Sequence, residues 1–281
     1  MVQLFSNPRS GGHSARRIAA LARAFERLGA EVLASETGDG IPRIAPRATH
    51  VCVAAGDGTV RHVAGAVARS GHPVPLSIYP VGTINLLARE AGHPTDPGQF
   101  AALVLGGASR RPHYPVAIGA GHLFASAGVG PDSLAVDRVS ERLKRRIGRL
   151  AYGVAVVRLL AAWPRHRIAL DADGRRLDCE AFYVAKGRYY AGPWSFAPGA
   201  AVGEPELHVV ALITARRRDY ARFVLRLALG RRPRAGRGVA ILTCRALSAR
   251  SQAPLPVQAD GDIVAALPVT MTVSEVPVMF S

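Results

Sequence analysis

The chain has 281 residues, of which 49% are hydrophobic and 20% charged, a composition that excludes a disordered protein and suffices for one large domain or two ordinary ones. Its 36 lysine and arginine residues outnumber 20 acidic residues, which gives a net charge of +16. A surface this basic favours anionic partners such as nucleotides, acidic lipid headgroups or nucleic acid.

Strands and helices alternate over the first hundred residues. Strands are predicted over residues 2–5, 31–34, 50–55 and 76–79, and helices over residues 14–28, 60–69 and 84–91. This alternation predicts a parallel sheet that is covered by helices on both faces. In such sheets, ligands bind at the carboxyl ends of the strands.

The pattern changes at about residue 114, where short apolar runs begin to alternate with turn signals. The runs cover residues 122–127, 167–172, 181–185, 207–214, 239–244, 257–259 and 269–273. Asp173-Gly174 fits a hairpin turn between two of them, and helical insertions are expected near residues 133–163 and 219–229. The basic run over residues 231–237 is predicted to be an exposed loop.

Together these patterns predict an α/β plus β protein with two domains. Residues 1–113 form a Rossmann-like parallel-sheet domain in this prediction, and residues 114–281 form a mainly antiparallel β-sandwich with helical insertions. The longest apolar stretch, residues 150–163, is too short to span a bilayer, and no charged leader precedes the first apolar run. The three cysteines fit neither a metal site nor a disulfide framework, so we expect a reduced, cytoplasmic protein with buried cysteines.

Three glycine-rich loops follow the first, third and fourth predicted strands. They read Asn7-Pro8-Arg9-Ser10-Gly11-Gly12, Gly56-Asp57-Gly58-Thr59 and Pro80-Val81-Gly82-Thr83-Ile84-Asn85. Glycines let backbone N–H groups approach an anion, and the dipole of a following helix favours its negative charge. Any one of these loops is compatible with an ordinary turn, whereas three at one sheet edge indicate a phosphate-binding site.

In this order the loops resemble the signature of the diacylglycerol kinase catalytic-domain family of lipid kinases. The second half resembles that family in Tyr190-Ala191-Gly192, Ala197-Pro198 and Gln258-Ala259-Asp260-Gly261-Asp262. The resemblance implies an ATP-dependent kinase that phosphorylates the hydroxyl group of a lipid such as diacylglycerol. It also implies that the first domain is phosphofructokinase-like and binds ATP, and that the β-sandwich helps to hold the lipid.

The resemblance further implies which residues act. The nucleotide-binding residues are Asn7, Arg9, Ser10, Gly11, Gly12, Thr37, Gly56, Asp57, Gly58, Thr59, Gly82, Thr83 and Asn85. Asp57 is also expected to bind Mg²⁺, because hard cations prefer carboxylate oxygens. Asp262 matches the general base, although Asp260-Gly261 is equally a strong hairpin-turn signal. Glu204 is the only carboxylate aligned with a structural Mg²⁺ site of some relatives.

Several positions depart from the family pattern. Ala55 replaces a glycine, Arg61-His62 replaces Asn-Glu, Leu86 replaces an aspartate, and Asp262 replaces a glutamate. Two alternatives to a lipid kinase therefore stay open. One is an NAD kinase, which shares the Gly-Asp-Gly-Thr loop, and the other is a relative that binds lipid or nucleotide without catalysis.

The expected partners follow from the charge and from the resemblance. The basic residues within 138–149 precede the apolar stretch 150–163, a pattern that suits a membrane surface as well as it suits a solvated helix followed by a core helix. We expect a lipid substrate, peripheral contact with an anionic membrane at the inner membrane surface, and no nucleic acid partner. A homodimer is left open.

Overall fold

The structure, a computed structural model, describes residues 1–9, 13–38, 40–82, 84–107, 110–137, 163 and 165–281. These residues form two compact units, Met1–Pro115 with Glu275–Ser281 and Val116–Ser274. Ser10, Gly11, Gly12 and Thr83 of the predicted site lie outside the described residues, as does the basic-then-apolar segment apart from Trp163.

The first unit is built on a six-stranded sheet. Its strands are β1 (Val2–Ser6), β2 (Val32–Glu36), β3 (His50–Ala55), β4 (Leu76–Pro80), β5 (Arg111–His113) and β18 (Val278–Phe280). They lie in the order β2-β1-β3-β4-β18-β5, and every neighbouring pair is parallel except β18 with β5. The predicted parallel sheet is confirmed.

The described residues of the first unit form four helices. They are α1 (Ala15–Arg27), α2 (Asp57–Ser70), α3 (Leu86–Ala91) and α4 (Pro97–Leu105). Helix α4 lies outside the predicted helices, although its start has two ordinary signals: Asp96 Oδ1 accepts the N–H of Gln99 at 2.8 Å, and Pro97 opens the first turn. Helix α2 begins three residues earlier than predicted, so Asp57 lies in its first turn.

The second unit contains two antiparallel sheets, which confirms the prediction of a mainly antiparallel second half. The first has the order β10-β9-β14-β17-β6-β7 and the second the order β13-β12-β11-β8-β15-β16. Their strands are β6 (Val116–Ile118), β7 (Gly121–Leu123), β8 (Ser126–Val129), β9 (Ile168–Ala172), β10 (Arg175–Cys179), β11 (Ala181–Ala185), β12 (Leu207–Leu212), β13 (Val239–Cys244), β14 (Ala246–Ser251), β15 (Pro256–Ala259), β16 (Asp262–Ala266) and β17 (Val269–Val273).

Two helices of the second unit are described, α5 (Pro131–Asp137) and α6 (Arg217–Ala228). Both fall within the predicted helical insertions or within two residues of them. The loop after α6 is exposed along residues 231–237 apart from Pro233, as predicted. None of the described helices is long and apolar enough to cross a membrane.

The last seven residues of the chain lie in a different unit from the one that the sequence predicts. The sequence pattern predicts that residues 114–281 form the β-sandwich, whereas Glu275–Ser281 belong to the first unit. There β18 pairs with β4 through Phe280 and Leu76, and the N–H of Ser281 donates to Leu76 O at 3.0 Å. This pairing satisfies backbone groups that β4 would otherwise expose along its outer edge.

The three cysteines lie where the sequence predicted them, inside strands and away from solvent. Cys52, Cys179 and Cys244 are all buried and all carry free thiols. Burial raises the pKa of Cys179 and of Cys244 to about 12, so both are thiols at neutral pH. They therefore act as small apolar residues.

Candidate functional site

The carboxyl ends of β1, β3 and β4 lie level with one another. Ser6, the last residue of β1, is in register with Ala54 of β3, and Ala55 is in register with Pro80, the last residue of β4. The three glycine-rich loops therefore leave the sheet at one edge, where helix N-termini and loop N–H groups favour an anion.

Asn7 connects the first loop to the second. Its side-chain Nδ2 donates to Thr59 Oγ1 at 3.0 Å, and its Oδ1 accepts the N–H of Arg9 at 2.9 Å. Thr59 is buried in the first turn of α2, next to Gly58. Asn7 and Thr59 thus hold two loops in one arrangement, a positioning role that does not require a ligand.

The second and third loops touch through their backbones. A Cβ atom on Gly82 would lie 2.4 Å from the Cα of Gly56 and 2.7 Å from Asn85 Oδ1, so only glycine fits at position 82. Asn85 closes the third loop, because its Oδ1 accepts the N–H of Gly82 at 2.8 Å and its Nδ2 donates to Gly82 O at 2.7 Å. Its left-handed conformation, with φ of 54°, delays the start of α3 to Leu86.

Asp57 is directed toward the N-terminus of α3. Its Oδ1 accepts the N–H of Leu87 at 3.1 Å. Burial of the carboxyl group raises the pKa of Asp57. The backbone N–H groups of residues 85–87 lower this pKa, but their effect is smaller than that of burial. Leu86 supplies only its backbone to this carboxylate, because its own side chain is buried in the core.

Thr37 fastens the loop after β2 to the end of β1. Both its N–H and its hydroxyl donate to Ser6 O, at 2.8 and 3.2 Å. A cavity of about 390 Å³ lies beside it and is also lined by Phe5 and Ile41. This places the predicted nucleotide-contacting residue next to the start of the first glycine-rich loop.

Arg17 is a positioning residue that the sequence analysis missed. Its Nη2 donates to Pro80 O at 3.0 Å, and its guanidinium carbon lies 5.1 Å from the centre of the Tyr79 ring. It therefore ties the first turns of α1 to the point where the third loop begins, beside a cavity of about 640 Å³. Nothing in the local sequence distinguishes it from the other arginines of α1.

Asp57 is the one residue of the predicted site, within the described part of the chain, whose carboxylate fits a Mg²⁺ ion. Among the described residues, no cluster of three or more His, Cys, Asp or Glu side chains is able to hold a metal. A single carboxylate suits a Mg²⁺ that arrives with nucleotide phosphates, since Mg²⁺ commonly binds one or two carboxylates and completes its shell with phosphate oxygens and water.

The segment around Glu204 does not fit a structural Mg²⁺. Lys186 is fully buried there, and its Nζ donates to Ala201 O at 3.1 Å, to Val202 O at 3.0 Å and to Glu204 O. The carbonyl oxygens that a cation would use therefore already receive the three N–H groups of an ammonium, while the side chain of Glu204 is exposed. The sequence pattern did not suggest this role for Lys186.

The two carboxylates of the Asp-Gly-Asp motif have different surroundings. Asp260 is buried, and its carboxylate accepts the N–H groups of Phe124 and Ala125 at 2.8 Å and of Ser126 at 3.0 Å. These bonds explain why the predicted strand over residues 122–127 is split into β7 and β8. Asp260 therefore holds this turn in place, which the sequence analysis did not foresee.

Asp262 is the first residue of β16 and is half-buried. With φ of 50° and 94°, Asp260 and Gly261 form a two-residue turn that places Ala259 opposite Asp262 in the β15–β16 hairpin. The structure therefore contains the hairpin turn that the sequence suggested, and a catalytic role for Asp262 stays a prediction.

A third carboxylate of the second unit, Asp132, lies among tyrosines. Its Oδ2 accepts the hydroxyl of Tyr190 at 2.9 Å, and burial raises the pKa of Asp132. Burial and the nearby Asp132 charge raise the pKa of Tyr183 and Tyr190 well above their usual value. The Tyr190-Ala191-Gly192 motif was the sequence signal for this cluster, although no role was assigned to it.

Two family models together match most of the chain. Residues 1–114 match the diacylglycerol kinase catalytic domain, and residues 125–279 match the YegS C-terminal NAD kinase beta sandwich-like domain. The three glycine-rich loops thus lie in the first matched domain, and the Asp-Gly-Asp hairpin lies in the second.

Individual relatives agree with these matches. A protein of Pseudomonas aeruginosa (strain UCBPP-PA14) named probable lipid kinase YegS-like is 35% identical over 170 residues, which cover 57% of this chain and 53% of that protein. A Bacillus subtilis (strain 168) protein named diacylglycerol kinase is 26% identical over 234 residues, 78% of this chain and 76% of that protein. The match thus spans about half the length of the Pseudomonas relative.

A solved structure shares the whole fold. A diacylglycerol kinase from Bacillus anthracis str. Sterne has a TM-score of 0.79 at 17% identity, covering 99% of this chain and 96% of that chain. Because the two matched domains occur in this order along one chain, the protein belongs to the family that joins a diacylglycerol kinase catalytic domain to a YegS-type C-terminal domain.

Proposed function

We propose that this protein transfers the γ-phosphate of ATP to the hydroxyl group of a lipid alcohol such as diacylglycerol. The observation that carries this proposal is the arrangement of three glycine-rich loops at one edge of the parallel sheet, connected by the Asn7–Thr59 hydrogen bond and the Gly56–Gly82 contact. Loops of this kind present backbone N–H groups to phosphates. The family supports a lipid as the acceptor.

The first unit binds and orients ATP in this proposal. The backbones of the three loops receive the phosphates, and Asp57 would hold a Mg²⁺ ion that neutralises charge on them when it is bound. Arg9, Gly58 and Thr37 contribute to the nucleotide site. Ser10, Gly11, Gly12 and Thr83 are assigned to the same site on their motifs alone.

Asp262 is the proposed general base. It takes the proton from the lipid hydroxyl while that oxygen attacks the γ-phosphate and the bond to the β-phosphate oxygen breaks. Asp260 is a positioning residue instead, because three backbone N–H groups already bind its carboxylate.

A phosphate-transfer assay with separate acceptors tests the function. Purified protein is incubated with Mg²⁺ and γ-labelled ATP, and with diacylglycerol in detergent micelles, extracted lipids or NAD. We expect the label in a lipid and not in NAD. Label in NAD would favour an NAD kinase, whose β-sandwich the second matched domain resembles. ATP binding without any transfer would favour a non-catalytic relative.

Two variants of Asp57 separate its charge from its contact with α3. Asp57→Asn keeps an oxygen for the N–H of Leu87 and removes the negative charge, whereas Asp57→Ala removes both. We expect both variants to lose phosphate transfer and Asp57→Asn to unfold at the wild-type temperature. Full activity in Asp57→Asn would remove Asp57 from the metal site.

We also propose that the protein works at an anionic membrane surface on the cytoplasmic side, where its acceptor lies. The net charge of +16 supports this.

A further inference from the structure

Half of the net charge of the protein is concentrated in one short surface segment. Residues 216–237, comprising α6 and the loop that follows it, contain one acidic residue, Asp219, and nine arginines: Arg216, Arg217, Arg218, Arg222, Arg226, Arg231, Arg232, Arg234 and Arg237. Their net charge is +8, against +16 for the whole chain. Eight of these arginines are exposed, and we call the segment the arginine surface.

Exposed leucines lie among these arginines. Leu225 is 59% exposed and Leu229 is 58% exposed, whereas Phe223 and Leu227 on the opposite side of α6 are buried. Arg222 precedes Leu225 by three positions, and Leu229 follows Leu225 by four. Residues at this spacing lie on one face of a helix, so the three side chains are neighbours. Large apolar side chains presented between cations are typical of a helix that lies at a lipid–water interface.

Acidic side chains of the described residues neutralise little of this surface. Asp219 lies 3.8 Å from Nε of Arg218 and also accepts the hydroxyl of Thr214 at 2.9 Å, and its charge is already counted in the net +8. Glu180 accepts the N–H of Ala215 at 2.7 Å and forms an ion pair with Arg165, outside the segment. The segment therefore keeps a large excess of positive charge toward an anionic partner.

We infer that the arginine surface is the site where this protein docks on an anionic lipid bilayer. Its arginines face acidic headgroups, and Leu225 and Leu229 enter the interface between headgroups and acyl chains. Nucleic acid also attracts arginine, but single-stranded binding surfaces present aromatic side chains to the bases. In α6, Phe223 is buried and Tyr220 is half-buried against Trp163 and Phe223, and leucines are exposed instead. The inference deepens the proposed function, because it names the surface by which a lipid kinase reaches its acceptor.

Vesicle co-sedimentation of the 281-residue chain without ATP tests the inference. The vesicles contain phosphatidylcholine alone or mixed equally with phosphatidylglycerol. The test variant carries Arg222→Glu, Arg231→Glu and Arg234→Glu, and the control carries Arg175→Glu, Arg245→Glu and Arg250→Glu, which are exposed arginines of the same unit. Both variants change the net charge equally, so a difference between them reports the position of the charge.

We expect the test variant to lose more than about tenfold in affinity for anionic vesicles and the control to lose less than about twofold. Leu225→Ser with Leu229→Ser should weaken the binding that persists at high salt, because salt screens the arginines and not the leucines. If both charge variants lost the same affinity for anionic vesicles, binding would depend on the net charge and not on the position of the arginines. This result would overturn the inference. Tighter wild-type binding to an RNA or DNA oligonucleotide than to anionic vesicles would also overturn it.

Activity on short-chain diacylglycerol in detergent micelles separates this inference from the proposed function. The test variant should keep this activity and lose activity on vesicles. The wild type could be inactive in micelles while the test variant still loses vesicle binding. In that case the kinase proposal fails and the docking surface is supported.

Discussion

The loops of the first unit and the turns of the second unit are held together by different kinds of side chain. In the first unit, neutral amides join the described parts of the loops: Asn7 binds Thr59, and Asn85 binds Gly82. The charged Arg17 and Asp57 hold helices beside these loops, through Pro80 O and the N–H of Leu87. In the second unit the turns are held by buried charges, since Asp260 accepts three backbone N–H groups and Lys186 donates to three backbone carbonyls.

This difference has a chemical consequence for each unit. Neutral amides leave Asp57 as the only carboxylate in the described parts of the loops after β1, β3 and β4, so an anionic ligand meets little negative charge there. In the second unit, backbone groups already bind Asp260 and Lys186, so these two side chains hold turns in place. A carboxylate in a family motif is therefore not by itself a catalytic group, as Asp260 illustrates.

The two aspartates of the Asp-Gly-Asp motif differ most in their expected roles, and substitution of Asp262 should have the largest effect on activity. Asp262→Asn should lower kcat by about 10²–10⁴-fold, the usual contribution of a general base, with little change in ATP affinity or stability. Asp262→Glu should keep much of the activity. Turnover on a lipid alcohol decides the matter, and near-wild-type turnover of Asp262→Asn would remove this residue from the mechanism.

Asp260→Ala should act on stability instead. It leaves three backbone N–H groups without their acceptor, and the loss of a buried charged partner of this kind costs about 3–5 kcal/mol. Chemical unfolding followed by circular dichroism measures the change. If Asp260→Asn stays fully folded but loses all turnover while Asp262→Asn does not, the catalytic and positioning roles are reversed.

Lys186→Met should cost somewhat less, about 2–3 kcal/mol, because it fills the same volume and leaves carbonyl oxygens rather than N–H groups unsatisfied. The wild-type melting temperature should not respond to Mg²⁺ in the absence of nucleotide, since the ammonium takes the place of a structural cation. A Mg²⁺-dependent rise in wild-type stability would contradict this role for Lys186.

Asp132→Asn should give the smallest effect, and the size of this effect depends on pH. Burial raises the pKa of Asp132 in the folded state, so the stability that its protonated form contributes is present below the unfolded pKa and is lost as pH rises through the folded pKa. Asparagine does not titrate. As the pH rises above about 4, the melting temperature of Asp132→Asn should therefore increase relative to that of the wild type.

Asp137→Asn is the matched control for this measurement, because Asp137 is exposed on the same helix, α5. Its melting temperature should follow that of the wild type at each pH. A pH-independent difference between Asp132→Asn and wild type would show that Asp132 does not titrate differently in the folded protein.

Local patterns determined much of this protein. The alternation of strands and helices predicted the parallel sheet, and the strands over residues 50–55, 181–185, 239–244 and 269–273 have the bounds that their apolar runs indicated. Asp173-Gly174 and Asp260-Gly261 are turns because their short sequence tolerates left-handed backbone conformations. Three glycine-rich loops after three strands identified the family before any contact was known.

Long-range contacts decided the rest. The partners of Asp260 lie 134 to 136 residues away, β18 joins a sheet whose other parallel strands end by residue 80, and Lys186 meets carbonyls of a separate turn. Nor did the sequence show that Leu225 and Leu229 stay exposed, because a helix with leucines at this spacing more often buries them. Periodicity and turn chemistry act over a few residues, whereas the choice between a catalytic, a structural and an exposed side chain depends on which backbone groups the tertiary structure brings to it.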